Sequence, residues 1–325
     1  MNELLIGLVG ALISTNQPLA VSNLVQQQTG VTVAVANPDD PAEQALRKVM
    51  LDDDAAGDEV DKWIRDNTAF AAEGAGESKA ALNQRIRARF DVVRKEYEDF
   101  LRRYPNSARG HLAYGTFLND LGEEEAAFAH YQTAAQLDPR NPAAWNQIAN
   151  YCGEHGPITN AFTGYAKAIE LDPAEPVYYQ NFATTVYLFR RDAMAFYGIT
   201  ETQVFEKALA LYRKAMQLDP QNFLLATDYA ESYYGIRPLR TNDALAAWTN
   251  ALQTAHDSNE RQAVYIHLAR IKIAAGRFAE AGAHLNDVTN AAFAATRNRL
   301  ERMIVEREGA ATNPAAATNP PVRAP

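Results

Sequence analysis

Three groups of side chains here have types that could do chemistry, and in each the spacing is incomplete. The first is "LDDDAAGDEVDKW" at 51–63. Asp52, Asp54 and Gly57 match the first, third and sixth positions of a helix-flanked calcium loop. Ala56 fails at the fifth, and Trp63 stands at the twelfth, where a bidentate glutamate is required. The segment therefore reads as a solvated acidic turn. The second is "GAGESK" at 74–79, glycine-rich with a lysine but without the G-K-[ST] ending that cradles phosphate; it reads as a linker. The third is the set of six histidines, His111, His130, His155, His256, His267 and His284, with the single cysteine Cys152. No two of these histidines stand three or four apart, so the spacing offers no metal site. Cys152 falls at a position where a small buried hydrophobe is expected. No nucleophile motif is present. These residues predict no catalytic set, no metal and no cofactor.

Composition bounds the classes further. The chain has 325 residues, 47% of them hydrophobic, which suffices for a large core. Alanine is abundant, and glycine and proline fall outside the apolar-periodic stretches, so the protein reads as all-α. Net charge is -9, and residues 39–77 carry -8 of it, from 12 acidic against 4 basic side chains. Residues 78–325 balance at 27 of each sign, so no global field attracts nucleic acid. A single cysteine leaves the redox compartment open.

The N-terminus bears on location. "LLIGLVGALI" at 4–13 is too short to span a bilayer but suits a signal-peptide core, and Ala20-Val21-Ser22 has the small-x-small form of a cleavage site. The first basic residue is Arg47, so the usual positive n-region is missing. Residues 1–22 are thus a possible signal peptide, with a buried first helix or an apolar terminus as the alternative. If it is a signal, the protein is exported (periplasmic or extracellular); otherwise it is cytoplasmic.

A linker is expected over 23–38, and an N-terminal helical region over 39–104. Asp40-Pro41 is an N-cap followed by proline at the first helical position. Helices are expected at about 41–51 and 58–71, then a long basic helix at 79–104 that pairs with the acidic ones. "GAATNPAAATNPPVRAP" at 309–325 is low-complexity, and 310–325 reads as a disordered tail.

Between these ends the sequence repeats. "AAQLDP", "AIELDP" and "AMQLDP" end at Pro139, Pro173 and Pro220, 34 and then 47 residues apart. From Ala108, one unit places Gly115, Leu118, Ala127, Tyr131 and Ala134. From Pro142 the next places Trp145, Ile148, Ala149, Cys152, Ala161, Tyr165 and Ala168 at corresponding positions. Tyr179, Phe182, Ala183, Ala208, Tyr212 and Ala215 carry a third. Tyr229, Ala230, Ala244, Trp248 and Ala251 carry a fourth. Tyr265, Leu268, Ala269, Gly276, Phe278, Ala281 and Leu285 carry a fifth, with Lys272 where an apolar residue is expected. This pattern resembles the tetratricopeptide repeat, a helix–turn–helix unit of 34 residues. Units are expected near 108–141, 142–175, 176–222, 223–258 and 262–290. The amphipathic stretch at 291–309 is expected to cap the last of them.

The resemblance implies an all-α, α-solenoid architecture in which each unit contacts its neighbours. It also implies that certain first-helix positions line a concave groove for a protein or peptide. Here those positions include Arg109, Thr116, Asn146, Asn150, Gln180, Thr184, Tyr187, Thr227, Glu231, Tyr234 and Arg270. The basic clamp that chaperone-tail-binding members use is absent. The implied function is a non-enzymatic protein-interaction scaffold; an envelope assembly factor or an accessory subunit of an enzyme complex is the alternative. The 13 extra residues of the third unit lie around 188–205. Thr200 and Gln203 there form a capping box, and Phe189, Arg190, Arg191, Phe196 and Tyr197 offer a candidate binding surface. The bland alternative folds those aromatics back onto the stack. A smaller elongation, 235–243, falls at the matching turn of the fourth unit.

Overall fold

The computed structural model describes residues 40–312. The readings made on 1–22, on 23–38 and on 313–325 lie outside the described residues. Among the described residues there are 14 α-helices and no strand. They fall into two compact units, 40–199 and 200–312. Each is an all-α stack of helix–turn–helix pairs, the architecture of an α-solenoid.

The first unit begins with α1 (Pro41–Ala72) and α2 (Lys79–Arg103). Then come α3 (Ala108–Asp120) with α4 (Glu124–Leu137), α5 (Pro142–His155) with α6 (Ile158–Leu171), and α7 (Pro176–Leu188) with α8 (Arg190–Tyr197). The second holds α9 (Glu201–Leu218), α10 (Phe223–Ser232), α11 (Thr241–Thr254), α12 (Ser258–Ala274), α13 (Phe278–Asn286) and α14 (Ala294–Thr312). The third sequence repeat is divided between them: its first helix, α7, and the inserted α8 end one unit, and its second helix, α9, opens the other.

One expectation is corrected at once. The two acidic helices and the turn between them are a single helix, α1, of 32 residues. Ala56 is fully buried there, and Gly57 has open space where a side chain would stand. A glycine inside a helix costs about 1 kcal/mol, and anchoring to α2 offsets it. Arg89 donates to both oxygens of Asp52, at 3.0 Å each, and to Glu59 at 2.9 Å. The acidic run thus meets the basic face of α2 and is no calcium loop. Asp40 caps α1 by accepting from the Ala42 amide at 2.9 Å, and Ser78 caps α2.

The helix crossings explain the small residues. Ala127, Ala149, Ala161, Ala183, Ala230, Ala244, Ala269 and Ala281 are all fully buried. A Cβ on Gly115 would stand 2.7 Å from the Tyr131 ring and 3.1 Å from the Ala127 carbonyl oxygen. Backbones that close leave no room for a branched side chain.

The Leu-Asp-Pro segments end helices as expected, but by the aspartate more than the leucine. Leu137 remains 39% exposed. Asp138 and Asp172 follow the last turns of α4 and α6, and each accepts from the amide two residues on, at 3.1 and 3.0 Å. This side-chain turn captures a backbone donor that the broken helix would leave open. The proline carbonyl is used as well. Trp145 Nε1 donates to Pro139 O at 2.9 Å, Tyr179 Oη to Pro173 O at 3.1 Å, and His111 Nε2 to Pro105 O at 3.0 Å. The same six-residue bond thus recurs at three successive turns of the first unit.

In the second unit, Lys272 stands where an apolar residue was expected. Its Nζ lies 2.9 Å from His284 Nε2 and 3.2 Å from Glu280. The stem is buried and the charge is matched at the tip. The last pair, α12 and α13, is covered by α14: Leu300 is buried against Ile266, Ile273 and Leu285, with Phe293, Met303 and Ile304 packed around it.

Candidate functional site

The first-helix positions predicted to face a groove are placed differently from one another. In the first unit, Arg109 pairs with Glu43 of α1, and Thr116 is buried with its hydroxyl on Leu112 O. Asn146 is corrected most clearly. Its side chain is fully buried, and its Oδ1 accepts from Asn181 Nδ2 at 3.2 Å. It joins the equivalent helices of two consecutive pairs and is not presented to a ligand. Asn150 is half-buried; its Nδ2 donates to Gln147 at 2.8 Å, and its Oδ1 accepts from Tyr165 at 2.8 Å. Thr185 donates in turn to Tyr165 at 3.3 Å.

Gln180, Thr184 and Tyr187 remain. They stand at i, i+4 and i+7 on α7, and all three are half-buried. That spacing aligns them as one stripe on the helix. It places an amide, a hydroxyl and an aromatic edge side by side.

In the second unit, Thr227 bonds to its own helix through Leu224 O at 2.7 Å. The other three predicted residues meet a fourth that the sequence did not single out. Tyr234 Oη lies 3.0 Å from His267 Nδ1, and the His267 ring stacks on Trp248 at 4.0 Å between centroids. Burial, with the Arg270 charge beside it, pushes His267 down to about 3, so the ring is neutral. Burial raises Glu231, and the Arg270 charge opposes that rise. Glu231, Tyr234, His267 and Arg270 thus form one half-buried polar cluster. His267 carried no signal in the sequence, because its partner lies 33 residues away on the preceding pair.

Of the two readings of the insertion, the packing of its aromatics favours the one in which they fold back onto the stack. The insertion forms α8, ended by Gly198 in the left-handed conformation at φ 64°. Phe196 and Tyr197 pack with tilted rings against Phe162 of α6, at 5.4 and 5.7 Å between centroids. Phe189 and Tyr197 are half-buried, while Arg190 and Arg191 are exposed and Phe196 keeps 41% exposure. The aromatic half covers the stack itself. The expected capping box is present, with Thr200 and Gln203 each bonding the other's backbone. Cys152 is buried, as its position predicted, and burial raises its thiol.

No protein-family model and no curated protein matches the chain. Among solved structures, the chain is similar to PilF of Pseudomonas aeruginosa, at 14% identity over 78% of this chain and 99% of that one, with TM-score 0.49. The C-terminal part of a TPR repeat-containing protein from Cytophaga hutchinsonii gives 15% identity over 77% and 98%, with TM-score 0.49. YrrB, described as a TPR protein with an unusual peptide-binding site, gives 11% identity over 66% and 97%, with TM-score 0.47. By its own 34-residue helix pairs, small crossing residues and post-helix prolines, the chain has the fold of a tetratricopeptide-repeat protein.

Proposed function

We propose that the protein is a non-enzymatic interaction scaffold that binds an extended protein or peptide segment along the first helices of its pairs. The observation that carries this reading is the half-buried stripe of Gln180, Thr184 and Tyr187 on α7. Amides and hydroxyls on one helix face suit the backbone of an extended chain, and an aromatic edge suits its side chains. Affinity capture with the full chain tests it. A Gln180→Ala/Tyr187→Ala variant with an unchanged far-UV circular dichroism spectrum is expected to lose partner recovery by at least tenfold. Equal recovery from both proteins would remove the α7 stripe as the binding face. Export belongs to the same proposal: sequencing of the mature N-terminus is expected to start at Asn23, and an intact Met1 counts against it.

A further inference from the structure

The turn between α3 and α4 lies beside the end of α5, and this brings a glutamate of one repeat to two adjacent donors of the next. Glu124 stands in the first turn of α4; Glu154 and His155 are the last residues of α5. One ligand atom from each lies within 4.8 Å of the others. We propose that Glu124, Glu154 and His155 bind a divalent transition-metal ion of the zinc class, with water completing the shell.

The hydrogen-bond partners of His155 fix which ring nitrogen is free to bind an ion. Its Nδ1 lies 3.2 Å from Tyr151 O. A carbonyl only accepts, so Nδ1 carries the hydrogen and the Nε2 lone pair points the other way. There it meets Glu124 Oε2 at 2.8 Å. Two lone pairs at that separation repel; the contact is favourable only with a proton or a metal ion on Nε2. Metal-bound histidines usually donate their other ring N–H to a carbonyl or carboxylate, which is the arrangement found here. Two carboxylates with one imidazole form an N/O donor set suited to zinc, and it carries more negative charge than one imidazolium offsets.

The surroundings hold the ring in place. Tyr151 stacks on His155 at 4.4 Å between centroids, and Phe128 of α4 stacks on Tyr151 at 4.0 Å. The C-terminus of α5, which favours positive charge, is at the site. Around a tetrahedral zinc, ligand atoms sit about 3.3 Å apart. Exposed glutamate side chains reach that spacing by rotamer changes, with α4 and α5 left where they are. A bound ion would then tie the second helix of one repeat to the first helix of the next at their outer edge. Sequence spacing does not display the site, because Glu124 is 30 residues from Glu154 and belongs to the preceding repeat.

The test uses the full chain without a histidine tag. Zinc is titrated by calorimetry, and cobalt(II) is added separately as a probe of coordination by visible absorption. One equivalent of zinc is expected to bind. His155→Gln is expected to abolish binding and the cobalt bands, and Glu154→Gln to weaken binding at least tenfold. His111→Gln, which alters a histidine outside the site whose Nδ1 lies 2.9 Å from His130 Nδ1, is expected to leave both unchanged. Circular dichroism checks that every variant is folded. Absence of stoichiometric binding, or binding that survives His155→Gln unchanged, would overturn the proposal.

Discussion

Tyr97 on α2 donates its hydroxyl to Asp53 on α1 at 2.9 Å, and this bond pins the acidic helix to the rest of the first unit. Tyr97 is buried, and burial raises Asp53 from 3.8 to about 7, against the lowering effect of the Tyr97 bond. Asp52 and Asp54 on α1 and Asp120 on α3 add like charge.

The sign of the pH effect follows. Between pH 3.8 and about 7 the folded state holds a proton on Asp53 that the unfolded chain has lost. Stability from this group is therefore fully present below the lower value and is lost as pH rises through the upper one. Three pKa units set a ceiling of about 4 kcal/mol. Asp53→Asn keeps an acceptor for Tyr97 and removes the charge. Denaturant unfolding at pH 5 and pH 8 is expected to show the variant gaining on the parent as pH rises. A constant difference between the two proteins at both pH values would show that Asp53 ionises normally.

Two glycines give opposite outcomes for the same substitution. A Cβ on Gly164 of α6 would stand 2.9 Å from Ala149 Cβ and 3.2 Å from Trp145 O. Neither an alanine methyl nor a backbone carbonyl can swing away, so the helices must part. Overpacking costs about 1–3 kcal/mol, against about 1 kcal/mol of improved helix propensity. Gly164→Ala is expected to destabilise. Gly282, inside α13, has nothing within 4 Å, so Gly282→Ala is expected to stabilise by up to about 1 kcal/mol. Ala161→Leu, at a fully buried crossing residue, belongs with the first case. Chemical denaturation of the three variants checks all of these, and a stable Gly164→Ala would refute the crossing geometry.

Asn146 is a structural residue, and its substitution separates folding from binding. Asn146→Ala removes the acceptor for Asn181 Nδ2 within the packed α5–α7 contact. A fully buried donor left without a partner costs about 1–3 kcal/mol, and Asn181 is half-buried, so the cost falls toward the lower end. The variant is expected to unfold at lower denaturant, yet to recover partner like the parent where it is folded. Loss of partner at unchanged stability would return Asn146 to the binding face.

The repeat was legible because its signals are local and periodic: small residues at crossings, a proline after the second helices that end at Leu137, Leu171 and Leu218, a capping box at Thr200. What stayed hidden depends on pairs that sequence spacing does not display. Gly57 and the surrounding aspartates look like a break until Arg89 is seen holding Asp52 and Glu59. Lys272 looks like a fault in an apolar pattern until Glu280 and His284 are seen at its tip. First-helix positions predict a face but not whether a neighbour has already used it, as Asn181 uses Asn146. One missed signal was available: a hydrogen-bonding ring six residues after Pro105, Pro139 and Pro173, at His111, Trp145 and Tyr179.

The insertion offers the sharpest division between cover and docking surface. Phe162 is fully buried, with Phe196 and Tyr197 packed on its ring, and Ala193 of α8 is fully buried as well. Excising 189–199 would strip that cover, so the segment is expected to contribute to folding. Phe196→Ala/Tyr197→Ala removes the aromatic contacts alone. Because Phe196 is partly exposed, the expected loss is about 1–3 kcal/mol, below that of a fully buried pair. Arg191 is exposed, and Arg191→Ser should change stability by no more than about 0.5 kcal/mol. If the outer face of α8 contacts a partner, Arg191→Ser lowers partner recovery without moving the melting temperature. If both variants keep full partner recovery while only the aromatic one melts early, the 13 extra residues serve as a lid on α6 and nothing more.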